Sequence, residues 1–140
     1  MVTASVDHIV AIVERFHRDM GRLAPDEATN LFTDYAYIQM MMKEPYVGRE
    51  EIHEMFTIWF TSHTDIVTTP RTVTGQDNRV AVEWVDISDH EGKHYEVPCF
   101  GIFEFDGDKI AAWRLYYDYA LERGQKAGLK LPIYETAPQA

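Results

Sequence analysis

Between Ser5 and Gly21 the apolar residues Val6, Ile9, Val10, Val13, Phe16 and Met20 recur at three- and four-residue steps, which predicts an amphipathic helix capped by Ser5. A short second helix is predicted after Pro25, with Asp26 and Glu27 in its first turn and Leu31 and Phe32 on the buried side. The period then drops to two. Residues 34–41 read as a strand and 43–48 as a turn, and 49–60 return to helical spacing through Ile52, Met55, Phe56 and Trp59. From His63 onward the chain reads as strands over 66–74, 79–88, 94–105 and 109–119. Tight turns at 76–78, 89–92 and 106–108 separate the last of them, and a short helix and a Pro-containing tail follow. Helices first and a meander of long strands later is an α+β order. Residues 1–140 are expected to form one α+β domain, a cone-shaped curved sheet, mostly antiparallel, wrapped by the N-terminal helices around an apolar pocket.

Composition narrows the function. A hydrophobic share of 46% with 26% charged residues describes a globular chain, and the 13% aromatic share points to a ring-rich interior that suits a small hydrophobic ligand. A formal net charge of −10 repels phosphate backbones and anionic lipid, so nucleic acid and membrane are not expected as partners. No apolar run reaches the ~20 residues needed to span a bilayer, and the start of the chain lacks a secretory pattern. One cysteine, Cys99, excludes an internal disulfide. A cytoplasmic protein is expected. The six histidines show no recognised metal-ligand spacing. Phosphate-binding loops, nucleotide fingerprints and GxSxG are missing, so neither metal nor cofactor is expected.

The run Gly101-Ile-Phe-Glu-Phe-Asp-Gly-Asp-Lys-Ile-Ala-Ala-Trp-Arg-Leu-Tyr-Tyr-Asp118 resembles the last hairpin of SnoaL-like and limonene-epoxide-hydrolase-like proteins. These belong to the nuclear transport factor two-like superfamily, which also holds ketosteroid isomerase. Further matches are Arg15-Phe16, residues 34–39, 45–49 and 83–86, and Leu131-Pro132. The resemblance implies the cone fold, a homodimer and chemistry on a small molecule. In the epoxide hydrolases an Arg between two Asp residues activates water, with a Tyr-x-Asn pair orienting it. Tyr37-Ile38-Gln39 stands at the Tyr-x-Asn position and Trp84-Val85-Asp86 at Arg-x-Asp, while Leu115 replaces the second Asp. One Asp therefore remains without its Arg. The isomerase pattern also departs, with its general-base Asp falling near Gln39 and its donor Tyr near Phe16.

Strand alternation turns these positions into a pocket. With Asp86 inward, Trp84 and Val82 follow; Tyr37, Gln39 and Met41 share a face; Val97, Cys99, Gly101 and Phe103 form an inward row, as do Trp113, Leu115 and Tyr117. Ile12, Phe16, Met20, Phe56 and Trp59 come from the helices. Asp86 is the expected proton carrier, its pKa raised by desolvation; Tyr37 is the expected oxyanion donor, and Gln39 orients water or a carbonyl. His53 and His63 flank the third helix and are candidate proton shuttles at the mouth. Tyr95, Phe100, Ile102 and Tyr116 are expected on the convex face, where they would form the homodimer contact. The expected function is a cofactor-independent acid/base enzyme of isomerase, cyclase, dehydratase or lyase type, acting on a small hydrophobic cyclic or aromatic metabolite. The alternatives are an epoxide-hydrolase-type enzyme with an altered catalytic set, a non-catalytic small-molecule binding protein and a purely structural dimerisation domain.

Overall fold

The computed structural model describes residues 3–130. Helix α1 (Val6–Asp19) starts where the Ser5 hydroxyl accepts the His8 amide at 3.2 Å. A single 3-10 turn (Met20–Arg22) leads to α2 (Pro25–Thr29), with Pro25 in the first turn, where no backbone donor is needed. Then come β1 (Phe32–Met40), β2 (Tyr46–Val47), α3 (Gly48–Ser62), β3 (Thr64–Val67), β4 (Pro70–Gln76), β5 (Arg79–His90), β6 (Lys93–Asp106), β7 (Lys109–Tyr117) and α4 (Tyr119–Lys126). The segment expected as one strand over 66–74 is two, because β3 and β4 both lie along β5 and Pro70, which has no N–H to donate, begins the second. The strand expected to reach residue 119 stops at Tyr117, where Asp118 caps α4. Leu131-Pro132 and the tail beyond lie outside the described residues.

The sheet order is β2-β1-β7-β6-β5-β3, with β4 also on β5. Every pairing is antiparallel except β1 with β7, which are parallel. The β5–β6 ladder runs from Arg79 opposite Glu104 to His90 opposite Lys93. Its two-residue turn puts Glu91 (φ 51°) and Gly92 (φ 76°) in the left-handed region, as a tight hairpin of this twist requires.

Helix α1 lies in the concavity and buries Ile9, Val13, Phe16 and His17. Phe16 meets Trp113 edge-on at 5.3 Å and Phe103 at 6.0 Å, and His17 lies 4.7 Å from the Trp84 ring. The His17 Nδ1–H donates to the Thr68 carbonyl at 3.0 Å, and the Thr68 hydroxyl donates back to the His17 carbonyl at 2.8 Å. Burial pulls the His17 pKa down to about 4 against that hydrogen bond, so the ring is neutral at pH 7. These rings plug the narrow end of the sheet. Met20 and Phe56 join the same core, whereas Ile12 packs against it only half-buried.

Gly101 is fitted between two of the rings. A Cβ there would lie 3.0 Å from Trp113 Nε1 and 3.0 Å from Trp84 Cζ3, closer than ordinary contact. Gly101→Ala must push two buried indoles apart and is expected to cost about 1–3 kcal/mol. Urea unfolding measures this, and unchanged stability would show that the rings are not held so closely.

Candidate functional site

Beyond the aromatic plug the concave face stays open as a cavity of about 530 Å³, within the range of small-molecule sites. Inward positions of β5, β6 and β7 supply Asp86 and Ser88, then Tyr95, Val97 and Cys99, then Trp113, Leu115 and Tyr117. Ile38 and Met40 come from β1, and Met55, Trp59 and His63 from α3 and its end. Helix α4 lies across the mouth and contributes Glu122, Arg123 and Lys126.

Asp86 is the polar centre of this wall. The residue as a whole is partly accessible, but its Oδ1 is closed off and has no hydrogen-bond partner among the described residues. Burial, reinforced by the Glu122 carboxylate, raises its pKa to about 7. Burial also pushes the Cys99 and Tyr117 pKa values up, so the thiol and phenol keep their protons. The Cys99 Sγ donates to the Val97 carbonyl at 3.3 Å, and burial disfavours the thiolate that a nucleophile needs. His63 lies 2.8 Å through Nδ1 from the Ser62 hydroxyl and stacks on His90 at 4.4 Å. Burial and the neighbouring His90 lower its pKa. The His90 Nδ1–H donates to the Ser62 carbonyl at 2.7 Å.

The expected set is only partly brought together. Asp86, Trp59, Val97, Cys99, Trp113, Leu115, Tyr117 and His63 line the cavity. Phe16, Phe56 and Trp84 do not; they are fully buried in the plug beneath it. Tyr37, Gln39 and Met41 are also outside, a correction with a clear cause. Phe32, Ala36 and Ile38 are the buried positions of β1, so from Ala36 onward the even-numbered residues face inward. The register of β1 on β7 shifts between Phe32 and Tyr37. Tyr37 instead accepts a hydrogen bond from Arg114 at 2.8 Å, and Arg114 also donates to Glu104 at 2.6 Å. Gln39 donates to the Lys43 carbonyl at 2.9 Å and closes the following turn, where the Met41 amide donates to the Leu115 carbonyl at 2.8 Å. His53 points at Asp26 of α2, 2.6 Å away, and not at the mouth.

Tyr95 also departs from expectation. It alternates with Val97 and Cys99, is buried, and lines the cavity instead of the convex face. Phe100 and Tyr116 do face outward, directly opposite each other on β6 and β7 and 45% and 44% exposed. Sequence reasoning missed Ile38, Met40, Ser88, Tyr95 and Glu122. Continuing the alternation from Asp86 and Val97 finds Ser88 and Tyr95, and the apolar even positions of β1 find Ile38 and Met40. No periodicity points to Glu122, which reaches the cavity from a helix.

The SnoaL-like domain model matches residues 13–113, most of the chain. The chain belongs to the SnoaL-like domain family. That places it in the nuclear transport factor two-like superfamily, as the curved, unclosed sheet and N-terminal helices also indicate. A Catenulispora acidiphila protein of ketosteroid isomerase-like fold, solved with trimethylamine, is 18% identical over 83% of this chain and 92% of its own, with a TM-score of 0.75. A limonene-epoxide-hydrolase-like epoxide hydrolase of M. tuberculosis is 15% identical over 86% of this chain and 90% of its own, with a TM-score of 0.76. The epoxide hydrolase/cyclase-like enzyme SalBIII, which has a role in pyran ring formation in salinomycin, is 21% identical over 82% of this chain and 94% of its own, with a TM-score of 0.74. At these identities the likeness is one of fold. No curated protein matches the sequence significantly. Among the described residues no helix is long and apolar enough to cross a membrane.

The raised pKa of Asp86 has a consequence for stability. Unfolding returns the carboxyl to its ordinary value of 3.8, so the folded form carries the cost of an enclosed charge above pH 7 and sheds it as the pH falls toward 4. Asp86→Asn is therefore expected to raise stability at pH 8 by about 2–4 kcal/mol, the smaller figure allowing for solvent access, and to change it little at pH 4.5. Thermal unfolding at both pH values reads this. Equal effects at the two would contradict an enclosed carboxyl.

Proposed function

We propose that this SnoaL-like protein is a cofactor-independent enzyme that moves a proton on a small hydrophobic, cyclic or aromatic metabolite, by isomerisation, cyclisation, dehydration or lyase-type cleavage. The observation that carries the reading is the closed-off, unpartnered Oδ1 of Asp86 in a cavity large enough for such a molecule. A carboxyl held near pH 7 is equally able to give and to take a proton at neutral pH, the condition under which general acid–base catalysis is most effective. Tyr117, kept as a phenol, takes the donor role expected of Tyr37 and stabilises negative charge developing on substrate oxygen. His63, at the end of α3 on the cavity wall, is the group to exchange the proton with solvent. The apolar wall of Ile38, Met40, Val97 and Leu115 holds the substrate body.

Water activation by an Asp-Arg-Asp set has less support. Asp86 makes no ion pair among the described residues, Trp84 is buried in the plug, and Leu115 offers no second carboxylate. Epoxide opening would need Asp86 to act without that support. A purely structural role is disfavoured by the cavity itself.

A screen of small cyclic ketones, enones and epoxides followed by NMR in D2O identifies a substrate through proton exchange or turnover. On any such substrate Asp86→Asn is expected to lower kcat/KM by about 10²–10⁴-fold and to abolish an inflection near pH 7 in the wild-type profile. Wild-type turnover by Asp86→Asn defeats the proposal.

The proposal extends to assembly: the exposed Phe100 and Tyr116 pair, with the partly exposed Ile102 beside it, forms an apolar patch that suits a second copy across the convex face. The buried, unpaired Cys99 suits a reducing, cytoplasmic setting. Light scattering is expected to give twice the 16.2 kDa chain mass, and Phe100→Glu is expected to give a monomer. A monomeric wild type rules the dimer out.

A further inference from the structure

We propose that the cavity selects an organic cation, a substituted amine or ammonium on an apolar body, and holds its positive nitrogen against Asp86. This rests on the reading of the cavity as a ligand site and adds the chemical class of the ligand. Three features of the wall point the same way. Among the described residues nothing donates to the enclosed Oδ1 of Asp86, so it is free to take a donor or a positive charge from the occupant. A second carboxylate, half-buried Glu122, enters the same cavity from α4 and repels the charge on Asp86. A neutral hydroxyl would satisfy Oδ1 and leave that repulsion in place, whereas a cation relieves both.

The third feature is aromatic. Trp59, Tyr95 and Tyr117 line the cavity from α3, β6 and β7, and ring faces attract cations and quaternary ammonium groups. The mouth already shows this attraction: Lys43 Nζ lies 4.1 Å and Arg123 Cζ 5.4 Å from the Tyr119 ring centroid. These cations and Lys126 are exposed at the rim, and among the described residues none of them forms an ion pair with Asp86 or Glu122. A cavity of about 530 Å³ with an apolar side of Ile38, Met40, Val97 and Leu115 is far larger than a bare ion and calls for a carbon framework.

A cation with a fixed charge binds the ionised form of Asp86, so its affinity must rise with pH through 7. Other ionisable groups face the same space: Glu122 from α4, Cys99 from β6, Tyr117 from β7, His90 from β5 and His63 at the end of α3, with Lys43, Arg123 and Lys126 at the rim. Burial keeps Cys99 and Tyr117 protonated throughout, so the stacked rings of His63 and His90 are the control for a slope that does not come from Asp86.

The probes are benzyltrimethylammonium and its uncharged isostere neopentylbenzene, with binding to the full chain read by quenching of Trp59 and Trp113 fluorescence. The ammonium is expected to bind at least tenfold more tightly than the isostere at pH 8. Its own affinity is expected to rise about tenfold from pH 6 to pH 8, as ionisation of a group with a pKa near 7 dictates. Asp86→Asn should remove the slope and at least tenfold of the affinity. Glu122→Gln, on an exposed helix where folding is not at risk, should cost about threefold or more. Binding of the isostere as tight as that of the ammonium, undiminished by Asp86→Asn, overturns cation selection and leaves the ligand site standing. A slope that survives in Asp86→Asn but vanishes in His63→Gln or His90→Gln also overturns it. Binding of neither probe overturns both readings.

Discussion

A sheet bent this strongly has more concave surface than one helix can cover, and that mismatch governs the molecule. Helix α1 fills the narrow end, where Phe16 and His17 meet Trp84, Phe103 and Trp113 at ring separations of 4.7–6.1 Å. Gly101 lets two indoles close over the strand between them. Rings packed edge-to-face at such distances leave no space for a ligand. The remaining concavity has no helix to fill it and becomes the cavity. The plug and the pocket are thus two halves of one surface, divided by where α1 ends its contact.

Placing a carboxyl on the unfilled half has an energetic consequence. Asp86 loses water without gaining a partner at Oδ1, and the fold tolerates the loss because the proton can stay on near neutral pH. A residue that weakens the fold at high pH and faces a cavity is the pattern of a site shaped for function rather than for stability. The wall beside it carries a thiol and a phenol that burial keeps neutral, and Glu122 is the charge that adds to the rise in its pKa.

Glu122 reaches the cavity from α4, across the mouth. Helix α4 buries none of its residues. It is held by the Asp118 cap on Ala120 at 2.8 Å, by the Lys93 ammonium on the Lys126 carbonyl, and by Gln125, which accepts the Glu96 amide at 2.9 Å and donates to its carbonyl. Segments secured by a few solvent-side hydrogen bonds open more readily than packed strands. The charge environment of Asp86 is therefore linked to how firmly α4 sits over the mouth.

The α+β order, the hairpin turns at 89–92 and 106–108, and the inward rows of β5, β6 and β7 were legible in the sequence, because period-two alternation acts locally and needs only one anchored residue. With Asp86 taken as the inward anchor, alternation also puts Val97, Cys99, Trp113, Leu115 and Tyr117 on the concave side, where they line the cavity. Tyr37 and Gln39 are not legible in this way, because the motif resemblance sets their parity against the apolar even positions Ala36, Ile38 and Met40. Three decisions belonged to tertiary structure. How far α1 and α3 penetrate decided that Phe16, Phe56 and Trp84 are plug and not wall. The parallel seat of β1 on β7, with its shifted register, gave Tyr37 to Arg114. The docking of α4 brought in Glu122. Each is a contact between elements far apart in the chain, and no local period encodes the distance at which such surfaces meet.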